Sequence, residues 1–289
     1  MNCWINVQET VLLLLNAFTI DLEDWYQGLE IDRCHWEKYE HRIEIGTHRL
    51  LDLLDDAEVQ ATFFVLGYAA ERSARLIREI ASRGHEIATH GYSHQFVYNQ
   101  TPQSFREDVK RSIDLLEPLS EMPIIGHRAP YFSITPKSAW ALEVLRECGI
   151  EYDSSVFPVT NYRYGFPGAR RDIHEIRPGL VEFPLSTYRI CRINIPIAGG
   201  AYFRLFPYTF IQCGLQRINE SGQAAMFYIH PWELDPGHPR LNLAGRIKLT
   251  HYCNLRKTAP KLRKLLQDFR FGTVSQVLSS ANFEPLTKS

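Results

Sequence analysis

A chain of 289 residues with 45% apolar and 22% charged side chains can bury the core of one large domain. Its formal net charge of −1 excludes a general nucleic-acid-binding role, because displacing counterions from a phosphate backbone takes a sustained basic field. Six cysteines, Cys3, Cys34, Cys148, Cys191, Cys213 and Cys253, form no CxxC pair, so scattered reduced thiols are expected rather than a disulfide framework.

In chain order, the run VLLLLNAF from Val11 to Phe18 is interrupted by Asn16. A membrane span needs about 20 apolar residues and a secretory signal needs a basic leader, so a buried strand continuing into NAFTID is expected here. ATFFVLG reads as a second strand, and THRLLDLLDDAEV between the two has helical apolar spacing with Thr47 as its cap. An amphipathic helix is predicted from Glu71 to Arg83, with Leu76, Ile77, Ile80 and Ala81 inward and Gly84 as its stop. HEIATH is a third strand, and two further helices are predicted to start at Thr101-Pro102 and Thr135-Pro136, the second closed by Gly149. Such strand, loop and helix units imply parallel strands with helices outside, as a barrel or an open sheet.

After Tyr152 the rhythm changes. Only LVEFPLS and AMFYIH look strand-like, and the loops between them can either wall a substrate groove or wrap the barrel. Tyr162, Tyr164, Phe166 and Tyr202 are candidates to stack on a ligand, left unassigned among 14 tyrosines. From Gly245 to Arg270 eight Lys or Arg stand against one acid, with a helix predicted from Thr258 to Asp268. A solvated face is one reading of that segment, and contact with anionic lipid or glycan is the other.

The polar residues gather where strands are predicted to end. Asp21, Glu23 and Asp24 follow the first strand, His90 and His94 follow the third in THGYSH, Arg128 lies in GHRAPY and His230 in YIHPWE. Carboxyl ends of parallel strands share one opening, the end at which barrel enzymes carry their chemistry. Two imidazoles and a carboxylate suit zinc or another divalent first-row ion, and a second carboxylate beside them can take a proton from water. His230 can then protonate a leaving nitrogen while Arg128 orients the base. With 11 histidines a spacing of four also arises by chance; the coincidence of all these groups on successive strand ends is what points to a metal hydrolase. Phosphate-binding GxGxxG and GxxxxGK[ST] patterns, HExxH and GxSxG are absent.

FTIDLEDW, ATFFVLG, RGHEIATHGYSH, GHRAPYFSI, ECGIEYDSSVFP, VEFPLS and FYIHPWELDP together resemble the polysaccharide deacetylase family with the NodB-homology domain, over residues 16 to 236. The first motif and the HPWE ending resemble the subgroup associated with bacterial exopolysaccharide biosynthesis. The resemblance implies an α/β fold, a distorted (β/α) barrel of about seven parallel strands, here over residues 1–240 with a basic, partly helical extension, 241–289, packed on it. It further implies one divalent ion, commonly zinc, and hydrolysis of an N-acetyl group from a sugar of a glycan. By position Asp21 is the general base, His90 and His94 are metal ligands, and Arg128 steadies the base. The backbone N–H of Tyr131 is the oxyanion donor, His230 the general acid, and Trp232 part of the substrate wall.

Two features depart from the family pattern. DLED replaces adjacent aspartates, so the metal carboxylate is Glu23 by strand alternation or Asp24 by side-chain length and a turn, with the turn tipping the choice to Asp24. The Asp and Trp that usually support the catalytic histidine reduce here to Asp172 alone. The expected partner is therefore an N-acetylated glycan, with no nucleic acid and no transmembrane segment, and the expected place is the cytoplasm, with peripheral contact at the inner membrane face left open. A hydrolase of small cyclic amides or imides on the same scaffold, or a noncatalytic glycan-binding barrel, are the alternatives.

Overall fold

A computed structural model of the chain describes residues 14–161 and 163–281. Cys3, Tyr162, the first residues of the Val11–Phe18 run and the end of the 241–289 extension lie outside them; the five described cysteines are unpaired.

The strands are β1 (Asn16–Leu22), β2 (Thr62–Val65), β3 (Glu86–Thr89), β4 (Gly126–His127), β5 (Tyr152–Asp153), β6 (His174–Arg177), β7 (Leu180–Glu182), β8 (Thr187–Ile190), β9 (Ile193–Pro196), β10 (Met226–Ile229) and β11 (Phe271–Gly272). One curled sheet runs β10-β1-β2-β3-β4-β5-β7-β6, and its first seven members are all parallel. The antiparallel β6 ends the path, so the barrel stays open between β6 and β10, while β8 and β9 form a separate hairpin. All seven residues of β1 are buried, and its polar members Asn16, Thr19 and Asp21 are each hydrogen-bonded there.

Alternation sorts each strand into two layers. Phe18, Ile20 and Leu22 of β1 join Phe63, Val65, Phe227 and Ile229 in the main core against the outer helices. Ala17, Phe64, Ala88, Tyr152 and Met226 point the other way and fill the barrel. Asp21, His90 and His230 continue that inner phase at the carboxyl ends of β1, β3 and β10.

The helices are α1 (Ile43–Asp56), α2 (Gly67–Arg72), α3 (Ala74–Ser82), α4 (Pro102–Ser120), α5 (Ala141–Glu147), α6 (Gly200–Leu205), α7 (Tyr208–Glu220), α8 (Gly245–Tyr252), α9 (Leu255–Asp268) and α10 (Val274–Ser280). Thr101 caps α4 as expected, its hydroxyl accepting from the Ser104 N–H. Thr47 does not cap α1: it lies inside the helix and donates to the Ile43 carbonyl at 2.6 Å. The cap comes instead from Asp24, whose Oδ2 accepts from the N–H groups of Arg42 at 2.8 Å and Ile43 at 3.2 Å, a partner that no local pattern in α1 announces. The helix predicted over 71–83 is α2 and α3 broken at Ser73, and Gly84 ends it with φ +81°. After Tyr152 the structure adds β6, the β8–β9 hairpin, α6 and α7, which apolar spacing had not revealed.

Residues beyond 240 remain in the same body: β11 pairs with Asn16 and Ala17 of β1, and α9 packs its Leu262 and Leu265 into the main core. Helix α1 also crosses the 231–234 turn at very close range. A Cβ at Gly46 would fall 2.0 Å from the Pro231 carbonyl oxygen, so the lack of a side chain there sets how near α1 comes to the turn that follows His230. Among the described residues no helix is long and apolar enough to cross a membrane.

Candidate active site

β1 delivers Asp21 on its inner face, and the chain then turns so that Glu23 folds back beside it, with the Glu23 N–H donating to the Asp21 carbonyl at 3.0 Å. Glu23, His90 and His94, all buried, each offer one ligand atom, and these atoms lie within 4.8 Å of one another. Glu23 Oε2 is 2.5 Å from His94 Nε2. His90 donates through Nδ1 to the Arg128 carbonyl at 2.8 Å, which fixes its tautomer and leaves Nε2 free to bind an ion. Burial holds the His90 imidazole down at about 4, in the neutral form a metal ligand needs. Burial pushes the Glu23 carboxyl up, but the charge and hydrogen bond of His94, with His230 and His90 behind it, outweigh this and hold it at about 2.

The loop between the two histidines is tied to α4. Asp108 accepts from the N–H groups of Tyr92 at 2.7 Å and Ser93 at 3.1 Å, and from the Ser93 hydroxyl. This lets His94 adopt φ +55° and turn back toward His90. Two imidazoles and a carboxylate, deeply buried and mutually close, therefore fit a divalent first-row ion.

The candidate metal carboxylate is thus Glu23 and not Asp24. Asp24 Oδ1 accepts from the Trp25 N–H, its Oδ2 serves the start of α1, and His41 lies 3.0 Å from that same oxygen. One residue past the turn, the aspartate faces the outer helix layer and has no reach into the barrel mouth.

Arg128 has no exposed surface and carries Asp21: its Nη1 is 2.6 Å from Asp21 Oδ1 and 2.9 Å from Thr19 Oγ1. Its remaining donors reach the Ser154 carbonyl and hydroxyl at 3.2 and 3.0 Å, and the guanidinium lies 4.0 Å over the Phe64 ring. A buried ion pair is favourable only when its other donors are satisfied, as these are.

His230, at the end of β10, places Nε2 3.6 Å from Glu23 Oε1 and 4.0 Å from Asp21 Oδ2. Its Nδ1 and its backbone N–H both bind Glu233 Oε1, at 2.8 and 3.0 Å. Glu233 Oε2 in turn takes Arg204 Nε at 2.5 Å. Arg204 then donates to the carbonyls of Thr250, His251 and Cys253 at 2.7, 3.1 and 3.0 Å. Burial would lower His230, but the Glu233 bond and the surrounding carboxylates raise it to about 9. Asp172 is paired with Arg170 at the surface and takes no part here. Sequence reasoning missed Glu233, Arg204 and Asp108. Glu233 carried a signal, three residues after His230 with Pro231 opening a turn between them; the other two carried none.

Tyr131 adopts φ +57°, rare for a residue with a side chain. Its ring stacks on Phe96 at 4.2 Å and meets His94 edge-on at 4.5 Å, and its hydroxyl donates to the Gln27 carbonyl. Trp232 stacks on His230 at 5.2 Å and on His251 at 4.3 Å. Asp21, Glu23, His90, His94, Tyr131, His230 and Trp232 all line one cleft. Beyond His94 and Tyr131 the surface continues into a groove lined by Trp36, Tyr92 and Phe96.

Residues 38–152 match the family model described as polysaccharide deacetylase, and residues 154–279 match one described as a domain of unknown function, DUF3473. A peptidoglycan deacetylase of Helicobacter pylori is 30% identical over 113 residues, 39% of this chain and 38% of that protein. A peptidoglycan-N-acetylglucosamine deacetylase of Bacillus cereus is 33% identical over 98 residues, 34% and 36% of the two chains. These matches span well under half the length of the curated relatives. A crystal structure of a candidate polysaccharide deacetylase from Mycobacterium smegmatis superposes with a TM-score of 0.64 at 23% identity, covering 96% of this chain and 94% of that one. A CE4 family pseudoenzyme from Bacillus anthracis superposes at 0.50 and 12% identity, over 94% and 69%. The fold is thus shared with a protein described as a pseudoenzyme, so any activity has to be argued from the side chains of the cleft.

Proposed function

We propose that this chain is a member of the polysaccharide deacetylase family and a metal-dependent hydrolase that removes N-acetyl groups from the sugars of a polysaccharide or oligosaccharide and releases acetate. The carrying observation is that a buried ion cradle stands beside two differently held proton-transfer groups, Asp21 on Arg128 and His230 on Glu233. A divalent ion held by Glu23, His90 and His94, which we take to be zinc, would polarise the amide carbonyl and acidify a water molecule.

Asp21 is the base in this reading. Arg128 holds its Oδ1, turning Oδ2 to the cleft. His230 is the acid: Glu233 occupies its Nδ1, so a proton on Nε2 faces the leaving nitrogen. The backbone N–H of Tyr131 is assigned to the developing oxyanion, supported by the left-handed turn that places this residue in the cleft wall. Trp232 is assigned to the wall beside the acetyl group.

Relatives named for peptidoglycan and its N-acetylglucosamine support an acetamido sugar as substrate, and the aromatic groove past Tyr131 supports a substrate longer than one ring. Within the family we place the chain with the enzymes of exopolysaccharide synthesis, on the form of its first and last motifs. The test is metal analysis together with acetate release from N-acetylated oligosaccharides of several lengths. One equivalent of ion and acetate release that grows with chain length is expected. Bound ion with no acetate from any oligomer, but with opening of a cyclic imide, would replace the reading with that of a small-amide hydrolase.

A further inference from the structure

We infer that residues 240–249, at the rim of the cleft, dock on an anionic lipid surface, so that the glycan meets the site while it is held at that surface; the second clause rests on the catalytic reading above. From Pro236 to Gln267 the chain has eight Lys or Arg and no Asp or Glu, although its formal net charge is −1. Within this stretch Ala244 to Leu249 are all exposed, so the first part of α8 projects from the body, and only His251 and Tyr252 at its end are buried. Ile247 is 38% exposed and Leu249 57%, interleaved with Arg246 and Lys248. Leu205, at the end of α6, which packs against α8, is 41% exposed.

A segment bathed in water gains nothing from large aliphatic side chains set between its bases, whereas one at a bilayer interface uses both. Leu249, the most exposed of them and outside the cleft lining, enters the boundary of the acyl region, and the bases beside it meet lipid phosphates. A soluble acidic glycan would satisfy the charges but leave Leu249 in water, which is why lipid is favoured. The position agrees: Ile247, Thr250 and His251 line the catalytic cleft, so a surface touching α8 lies at its mouth. The relation is also rigid, because Arg204 holds the carbonyls of Thr250, His251 and Cys253 while its Nε binds Glu233 beneath His230.

The test is co-sedimentation of the full chain with phosphatidylcholine vesicles, with and without phosphatidylglycerol, for the wild type, Lys248→Gln and Leu249→Asn. The wild type should bind only vesicles containing phosphatidylglycerol, less so as salt rises. Lys248→Gln should weaken binding about fivefold, the share of one base near an anionic surface, and Leu249→Asn should weaken it as well. Acetate release from a soluble oligosaccharide should stay unchanged in both variants. No binding to the anionic vesicles would overturn the proposal. So would binding indifferent to Leu249→Asn, or capture of soluble polygalacturonate that Lys248→Gln lowers and Leu249→Asn does not. Vesicle binding needs no turnover, so a chain that docks yet releases no acetate would refute the catalytic reading and uphold the docking face.

Discussion

The ion cradle and the wall that carries His230 are neighbours in space, 3.6 Å apart at Glu23 and His230, yet they are assembled in different ways. The cradle takes its groups from the ends of β1 and β3, the two strands that flank β2, and from the loops that follow them, so strand alternation and one turn almost suffice to build it. The wall depends on a relay from His230 to Glu233 to Arg204 to the carbonyls ending α8, drawn from segments about 50 residues apart. The histidines of the cradle lie in the part that matches the deacetylase model, and the relay lies wholly in the part that matches a domain of unknown function. The contrast teaches that one cleft can join an ion site set by which way strand-end residues face to an acid whose support is built from tertiary contacts between separate helices and turns.

The comparison breaks most visibly at the cradle. His94→Ala and Glu23→Ala should each abolish stoichiometric metal and bring acetate release to background, read by elemental analysis beside the assay. Retention of the ion by Glu23→Ala and its loss by Asp24→Ala would reverse the assignment of the carboxylate. Next in size, Asp21→Asn and His230→Ala should keep the ion but lower kcat by about 10²- to 10⁴-fold, the range for general acid–base groups. Near-normal turnover in either variant would remove that residue from the mechanism.

The relay has a pH signature of its own. Against burial, the Glu233 hydrogen bond is the largest of the influences that lift His230 to about 9, ahead of the charge of Glu23, and an acid must be protonated to act. Turnover should therefore fall as pH rises through that value, and in Glu233→Gln it should fall at lower pH, with kcat changed more than KM. An unshifted alkaline limb would leave Glu233 a purely structural group. Stability follows the same charges with the opposite sign: Glu23 and Glu233 are both held at about 2, below the 4.5 of a free glutamate. Their contribution is present above about pH 4.5 and lost as pH falls toward 2, so urea unfolding of chelator-treated protein should show a steep acid loss that Glu233→Gln reduces. The smallest effect belongs to Asp24→Ala, which removes a helix cap and should cost about 1 kcal/mol of unfolding free energy with metal content unchanged.

The sequence by itself determined the strand and helix alternation up to Tyr152, the caps at Thr101 and Gly84, and the gathering of Asp21, His90, His94, Arg128 and His230 at strand ends. Those features are set by periodicity, by backbone preferences and by which way a strand residue faces, all of which act within a few positions along the chain. The choice of Glu23 over Asp24 went the other way, because it turned on a cap needed by α1 some twenty residues later, which pulls Asp24 out of the cleft. Arg204 was likewise decided in three dimensions: the buried Glu233 carboxylate, itself placed by a local turn, takes whatever cation packing brings within reach. The exposed, acid-free projection of α8 at the mouth of the cleft was also beyond local reading, since composition shows the charge but only the packed structure shows which surface that charge borders.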